Sequence, residues 1–127
     1  MLYGSKKKKL KIFEPHFRRN LVHINDVVDC IIFAINNFNK VRSNIYNLGL
    51  AKANISKINL ARKIKKIYRP LKIEIDVNRS DIDKRDYIVS NEKLKKRGFQ
   101  AKFSLESGIK ELINIFTLSD EKFINNY

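Results

Sequence analysis

Arg18-Arg19-Asn20-Leu21-Val22-His23-Ile24-Asn25-Asp26-Val27-Val28-Asp29-Cys30-Ile31-Ile32-Phe33-Ala34-Ile35, followed after a polar connection by Ser43-Asn44-Ile45-Tyr46-Asn47-Leu48-Gly49-Leu50, decides the fold. Leu21 to Ile24 is a short apolar run that predicts a strand. Asn25 stands where a helix N-cap is expected, because its side-chain oxygen can accept from an orphan N–H of the first turn. Asp26 then places negative charge at the positive end of the helix dipole. Val27, Val28, Ile31, Ile32 and Ile35 recur at helical spacing. Asn44 to Leu48 predicts a second strand, and Gly49 a tight turn after it. The unit is strand–helix–strand, the building block of an α/β protein. Arg18 and Arg19 lie at the mouth of its first strand and are the best-placed anion-binding groups in the chain.

On the N-terminal side, residues 1–9 form a basic segment with Lys6-Lys7-Lys8-Lys9. It reads as a phosphate- or nucleic-acid-binding arm or as a solvated loop, and the lack of interleaved aromatic residues favours the loop. Leu10 to Phe13 predicts a short strand, and Glu14-Pro15-His16 a turn. On the C-terminal side, Ser56 is a good N-cap for a helix with Leu60, Ala61, Ile64, Ile67 and Tyr68 on one face. Lys57, Arg62, Lys63, Lys65 and Lys66 cover its other side, and Arg69-Pro70 ends it. Lys72 to Val77 alternates, with Ile73, Ile75 and Val77 inward, as a half-buried strand. A charged loop from Asn78 to Asp86 leads to a predicted short strand, Tyr87 to Val89. Ser90 then caps a short helix, Asn91 to Arg97, that stops at Gly98. Ser104 caps a last helix with Leu105, Ile109, Leu112, Ile113 and Phe116 as its buried stripe, and residues 119–127 read as a tail. The expected fold is a small mixed α/β domain with about four helices and short strands.

Composition narrows the partners. At 127 residues and 43% hydrophobic, the chain can bury one modest core. The net charge of +14 attracts anions without choosing among nucleic acid, phosphorylated metabolites and acidic surfaces. No window has the roughly 18 consecutive apolar residues of a membrane span, and Leu10 to Phe13 is too short for a secretory h-region. The lone Cys30 lies on the apolar helix face and is read as a small buried hydrophobe. A cytoplasmic setting is therefore expected. His16 and His23, seven residues apart without a supporting Cys or carboxylate pattern, give no metal site.

Four runs carry a family resemblance: Arg19 to Val27, Tyr46-Asn47-Leu48-Gly49, Asp81 to Leu94, and Gly98 to Leu112. In this order and spacing they resemble the extended short-chain dehydrogenase/reductase family of NAD-dependent nucleotide-sugar epimerases and dehydratases. The resemblance implies that residues 1–127 are the C-terminal substrate-binding region of such an enzyme. It implies a nucleotide-sugar substrate and assigns Arg19 to its diphosphate, with Arg85 or Arg79 as the opposing cation. Asn47 and His23 would shape the pocket without taking part in chemistry.

The family's cofactor half has no counterpart here. A dinucleotide site needs a glycine-rich turn between strand and helix, whereas Gly4, Gly49, Gly98 and Gly108 are scattered. The catalytic Y-x-x-x-K spacing occurs at Tyr3 and Lys7, inside the lysine run, and at Tyr68 and Lys72, where Pro70 interrupts the helical turn it needs. No P-loop, nucleophile elbow or zinc pattern is present. No catalytic residue, no metal and no cofactor held by this chain alone are therefore expected. NAD belongs to the full-length family, held by an N-terminal Rossmann half, and the chain is expected to be inactive without it. That half or a homo-oligomer is the expected partner, since the apolar faces of the Asp26 helix and the Asn44 to Leu48 strand otherwise lack one. Two alternatives stand beside this reading. One is a basic nucleic-acid module using Lys6 to Lys9 and the Lys57 to Arg69 helix. The other is a non-catalytic subunit completing a separate Rossmann protein.

Overall fold

In the computed structural model, residues 9–80, 82 and 84–118 are described. The elements in chain order are β1 (Lys9–Ile12), β2 (Arg18–Asn20), α1 (Ile24–Asn36), α2 (Phe38–Val41), a 3-10 turn (Ala51–Ala53), β3 (Asn54–Ser56), α3 (Lys57–Ile67), β4 (Lys72–Ile75), α4 (Glu92–Lys95) and α5 (Leu105–Leu118). This is the small mixed α/β fold expected, with five helices, two of them single turns. Of the described residues, 9–17, 56–80, 82, 84 and 106–118 belong to one compact unit, and 18–55 with 85–105 to a second. The chain passes between them at four points, so neither unit is a continuous stretch and no linker composition marks the division.

In the first unit β1 and β4 pair in parallel, Lys9 opposite Lys72 through Ile12 opposite Ile75. A parallel pair needs a crossover, and α3 is part of it. The first N–H groups of α3 have no intrahelical acceptor. Lys57 N donates to Phe17 O (3.0 Å), Ile58 N to Pro15 O (3.0 Å) and Asn59 N to Ser56 Oγ (3.4 Å). The Glu14–Phe17 turn and the predicted Ser56 cap thus start this helix together. Ile12, Ala61, Leu71 and Ile109 are its buried apolar residues, Leu71 being only 2% exposed. Lys9 pairs with Glu74 (2.9 Å) and Lys63 with Glu106 (2.8 Å). β4 stops at Ile75, two residues short of the expected strand, and Val77 is exposed. Of the stripe expected on α5, Ile109 is buried while Leu112 and Phe116 are exposed.

In the second unit β2 and β3 form a two-stranded sheet. The predicted strand at Leu21 to Ile24 is displaced to Arg18–Asn20. Helix α1 begins two residues earlier than expected, and its N-cap is His23, whose Nδ1 accepts from Asn25 N (3.2 Å). His23 takes the cap because its ring is fixed by stacking on Phe103 (centroids 4.6 Å apart, planes at 16°). Asp26, 1% exposed, accepts from Lys102 N (2.9 Å) and Phe103 N (3.1 Å) and so ties α1 to the segment before α5. Gly98, with φ +105°, ends the turn after α4 in a conformation that suits glycine. That helix runs only over Glu92–Lys95, from an Asn91 cap instead of Ser90.

The expected strands at Asn44 to Leu48 and Tyr87 to Val89 are not ladder strands. Side-chain amides meet the backbone just after the first of these segments and within the second. Asn20 Nδ2 donates to Leu50 O (2.9 Å) while its Oδ1 accepts from Leu50 N (3.1 Å). Asn54 does the same to Val89, through Nδ2 to Val89 O (2.9 Å) and Oδ1 from Val89 N (2.8 Å). The two amides are joined by Asn20 Nδ2 to Asn54 Oδ1 (3.0 Å). Asn91 Nδ2, in a buried side chain, donates to Gly49 O (2.8 Å).

The apolar face of α1 is open. Ile24 and Ile35 are 65% and 69% exposed, and Val28, Ile31 and Ile32 are exposed as well. Among the described residues no helix is long and apolar enough to cross a membrane.

Candidate functional site

The site is built on β2. Alternation along this short strand would send Arg18 and Arg19 to opposite sides, and the two arginines do different work. Arg18 is committed to Asp86. Its Nε and Nη2 donate to the two carboxylate oxygens at 3.0 Å each, and its backbone N–H donates to Oδ1 at 2.7 Å. This is the bidentate fork that guanidinium and carboxylate form best. The hydrogen bonds from Arg18 hold the Asp86 carboxyl below its ordinary pKa, with the charge of Arg19 adding a smaller push in the same direction.

Arg19 is positioned differently. Its Nη1 donates to the carbonyls of Arg18 (2.9 Å) and Arg85, and its guanidinium lies 5.3 Å from the centre of the Tyr87 ring. Carbonyl acceptors and an aromatic face orient the guanidinium. Tyr87 N donates to Arg18 O (3.5 Å), so the 85–87 segment is fixed along β2. The Arg19 guanidinium therefore meets the backbone of Arg85, 66 positions away, whose side chain is exposed. Such a pair can hold an anionic group with two positive charges, while Arg18–Asp86 fixes the segment that brings them together.

The other predicted residues fall elsewhere. Asn47 is exposed and donates to Ser90 O (3.4 Å). Arg79 is exposed in the other unit. Asp81 and Asp83 of the charged loop, Lys6 to Lys8 and the 119–127 tail lie outside the described residues. The sequence alone sets Arg18 beside Arg19 as an anion-binding group and does not single out Tyr87, Asp86, Asn20 or Asn54. Arg85-Asp86-Tyr87 did carry a signal, an acid and an aromatic beside a cation in one of the family-like runs.

The glycines do not form a phosphate cradle. A Cβ on Gly49 would meet Asn20 Oδ1 at 2.6 Å, Asn20 Cγ at 3.1 Å and Val89 Cγ1 at 3.3 Å, so the absence of a side chain there serves packing. Gly98 serves a helix end. Among the described residues no group of three His, Cys, Asp or Glu could hold a metal ion.

No protein-family model matches the chain. Solved structures do. The chain is similar to a GDP-6-OMe-4-keto-L-xylo-heptose reductase from Campylobacter jejuni, with TM-score 0.75 and 21% identity, covering 88% of this chain and 34% of that one. It is similar to a dTDP-glucose 4,6-dehydratase from Bacillus anthracis in complex with NAD, with TM-score 0.69, 20% identity, and coverage of 89% and 36%. An L-threonine dehydrogenase from Phytophthora infestans matches with TM-score 0.75 at 12% identity, with coverage of 88% and 38%. The chain thus spans about a third of the length of these enzymes. The fold is therefore shared with about a third of each of these solved enzymes. At these identities the likeness carries the fold and leaves the substrate open.

Proposed function

We propose that this chain supplies the nucleotide-sugar-binding part of an NAD(P)-dependent reductase, epimerase or dehydratase of the extended short-chain dehydrogenase/reductase family. The observation that carries the proposal is the meeting of Arg19 with the Arg85 segment beside Tyr87, in a fold shared with enzymes of GDP- and dTDP-sugars. Arg19, oriented by two carbonyls and the Tyr87 ring, is the first contact for the substrate diphosphate. Arg85 is the second cation in preference to Arg79, because the structure anchors residue 85 to Arg19 itself. Asn47 and His23 hold the surrounding backbone. Arg18 is a positioning residue, its charge spent on Asp86.

The nicotinamide cofactor supplies hydride chemistry in this reading, and its site lies in a Rossmann half outside these 127 residues. The exposed apolar face of α1 is the surface we assign to that half, since an open row of Ile and Val of this size marks an interface. Binding by this chain alone involves no turnover.

Calorimetric titration of the full chain with GDP- and dTDP-hexoses tests the proposal. Saturable binding is expected, weakened about tenfold or more in Arg19→Ala, in keeping with the loss of a charge-assisted hydrogen bond. Binding that survives Arg19→Ala refutes the assignment. Binding of oligonucleotides but of no nucleotide sugar, falling steeply with salt, refutes the substrate class.

A further inference from the structure

A group of residues outside the Arg19 cluster carries more hydrogen-bond donors and positive charge than its surroundings take up. Lys93, Lys95, Lys96 and Arg97 fall within five residues on α4 and the turn after it. Lys95 faces Glu92 at 3.9 Å. Among the described residues, no carboxylate pairs with Lys93, Lys96 or Arg97. Two of these cations converge on one tyrosine. Lys93 Nζ lies 5.1 Å from the centre of the Tyr46 ring and donates to Ile45 O (3.0 Å). Arg97 Nε donates to Tyr46 Oη (3.2 Å). The phenol oxygen accepts there, and its own hydrogen meets no acceptor among the described residues. Tyr46 is half-buried, in a segment fixed by Asn47 Nδ2 to Ser90 O and Asn91 Nδ2 to Gly49 O, so the arrangement is held in place by the fold.

We propose that Lys93, Arg97 and the Tyr46 hydroxyl form a phosphate-binding site. The chemistry of the donors selects the ligand. A guanidinium edge matches two oxygens of a phosphate, while the ammonium and the phenol O–H can each serve another. A phosphate offers more oxygens than a carboxylate, so each of the three groups can have an oxygen of its own. The phosphate comes from a phosphorylated metabolite or from the backbone of a single-stranded nucleic acid.

The test is an NMR titration of the full chain at constant ionic strength with inorganic phosphate, uridine 5′-monophosphate and a short oligouridylate. The Tyr46 ring and Arg97 Nε–H signals are expected to shift together and saturate. Arg97→Gln should weaken binding about tenfold, as removal of a charged donor does. Tyr46→Phe keeps the ring under Lys93 and removes only the hydroxyl, so a loss of about threefold to fivefold is expected. It also carries the test should the Arg97 variant fail to fold. Tighter binding of the oligouridylate identifies a nucleic-acid backbone as the source, and equal binding of the monophosphate a terminal phosphate; either supports the site. Shifts that spread over all basic residues without saturating overturn it, as does saturable binding unchanged in both variants. The titration does not involve Arg19, so its outcome is separate from that of the nucleotide-sugar proposal.

Discussion

Gly49→Ala is the substitution for which the structure gives the clearest magnitude. The added Cβ would sit 2.6 Å from Asn20 Oδ1, closer than a carbon and an oxygen can approach. The far end of a side chain can often swing away at little cost, but this one is held. Asn20 makes hydrogen bonds with Leu50 N (3.1 Å), Leu50 O (2.9 Å) and Asn54 Oδ1 (3.0 Å). If Asn20 yields, these bonds go, at about 0.5–1.5 kcal/mol net each. If it stays, the backbone must shift, at the roughly 1–3 kcal/mol typical of overpacking. Stiffening the unfolded chain returns about 0.4–1 kcal/mol. The expected net destabilisation is about 2–3 kcal/mol. Urea denaturation followed by circular dichroism measures it. A double-mutant cycle sharpens the test. Asn20→Ala removes the obstacle, so the pair should cost less than the sum of the single changes by about 1 kcal/mol or more. A Gly49→Ala protein within about 0.5 kcal/mol of the parent, or strictly additive with Asn20→Ala, refutes the reasoning.

Asp26→Asn leaves one acceptor for the N–H groups of Lys102 and Phe103 and turns an amide NH2 toward the other; a loss of about 1–3 kcal/mol in urea unfolding is expected. The Asp86 carboxyl is held low by Arg18, so its stabilising effect is complete above the ordinary carboxylate range and is lost as pH falls through the folded-state value, from about pH 4 downward. Arg18→Ala should move the Asp86 titration midpoint up toward the ordinary value in a carboxyl-carbon NMR titration; an unmoved midpoint means Arg18 is not the cause. Tyr87→Leu should weaken nucleotide-sugar binding about twofold to fivefold, the effect of an exposed cation–π contact, whereas Tyr87→Phe should not.

A local signal is legible in the sequence where its partner is close in the chain and nothing distant competes. Ser56 was readable as a cap because its acceptor role is completed three residues away, at Asn59 N. The α1 cap was not, because the choice of His23 over Asn25 depends on Phe103, 80 positions further on. The strands expected at Asn44 to Leu48 and Tyr87 to Val89 did not form ladders, because an apolar run does not say what meets the backbone N–H and C=O groups. Here Asn20 and Asn54 meet Leu50 and Val89, each offering one donor and one acceptor in the spacing of a peptide group. A sequence pattern for such amide contacts has no period, so they surface only in three dimensions.

The same limit applies to the candidate site, and it explains why the two arginines had to be separated by structure. Adjacent cations in sequence look equivalent, and Arg19 was singled out only by family resemblance. In the fold, the difference lies in what each guanidinium meets. A carboxylate fork removes most of the field of Arg18 from solution. Carbonyls and a ring face orient the guanidinium of Arg19. Exchanging those surroundings should exchange the roles. In Asp86→Asn the Arg18 fork loses its counter-charge, and a second strongly basic group joins Arg19 and Arg85. Anion binding should then tighten, with a steeper dependence on salt because one more cation contributes. If Asp86→Asn instead weakens binding, the carboxylate matters chiefly for holding the 85–87 segment against β2, and the geometry at Arg19 outweighs the count of charges around it.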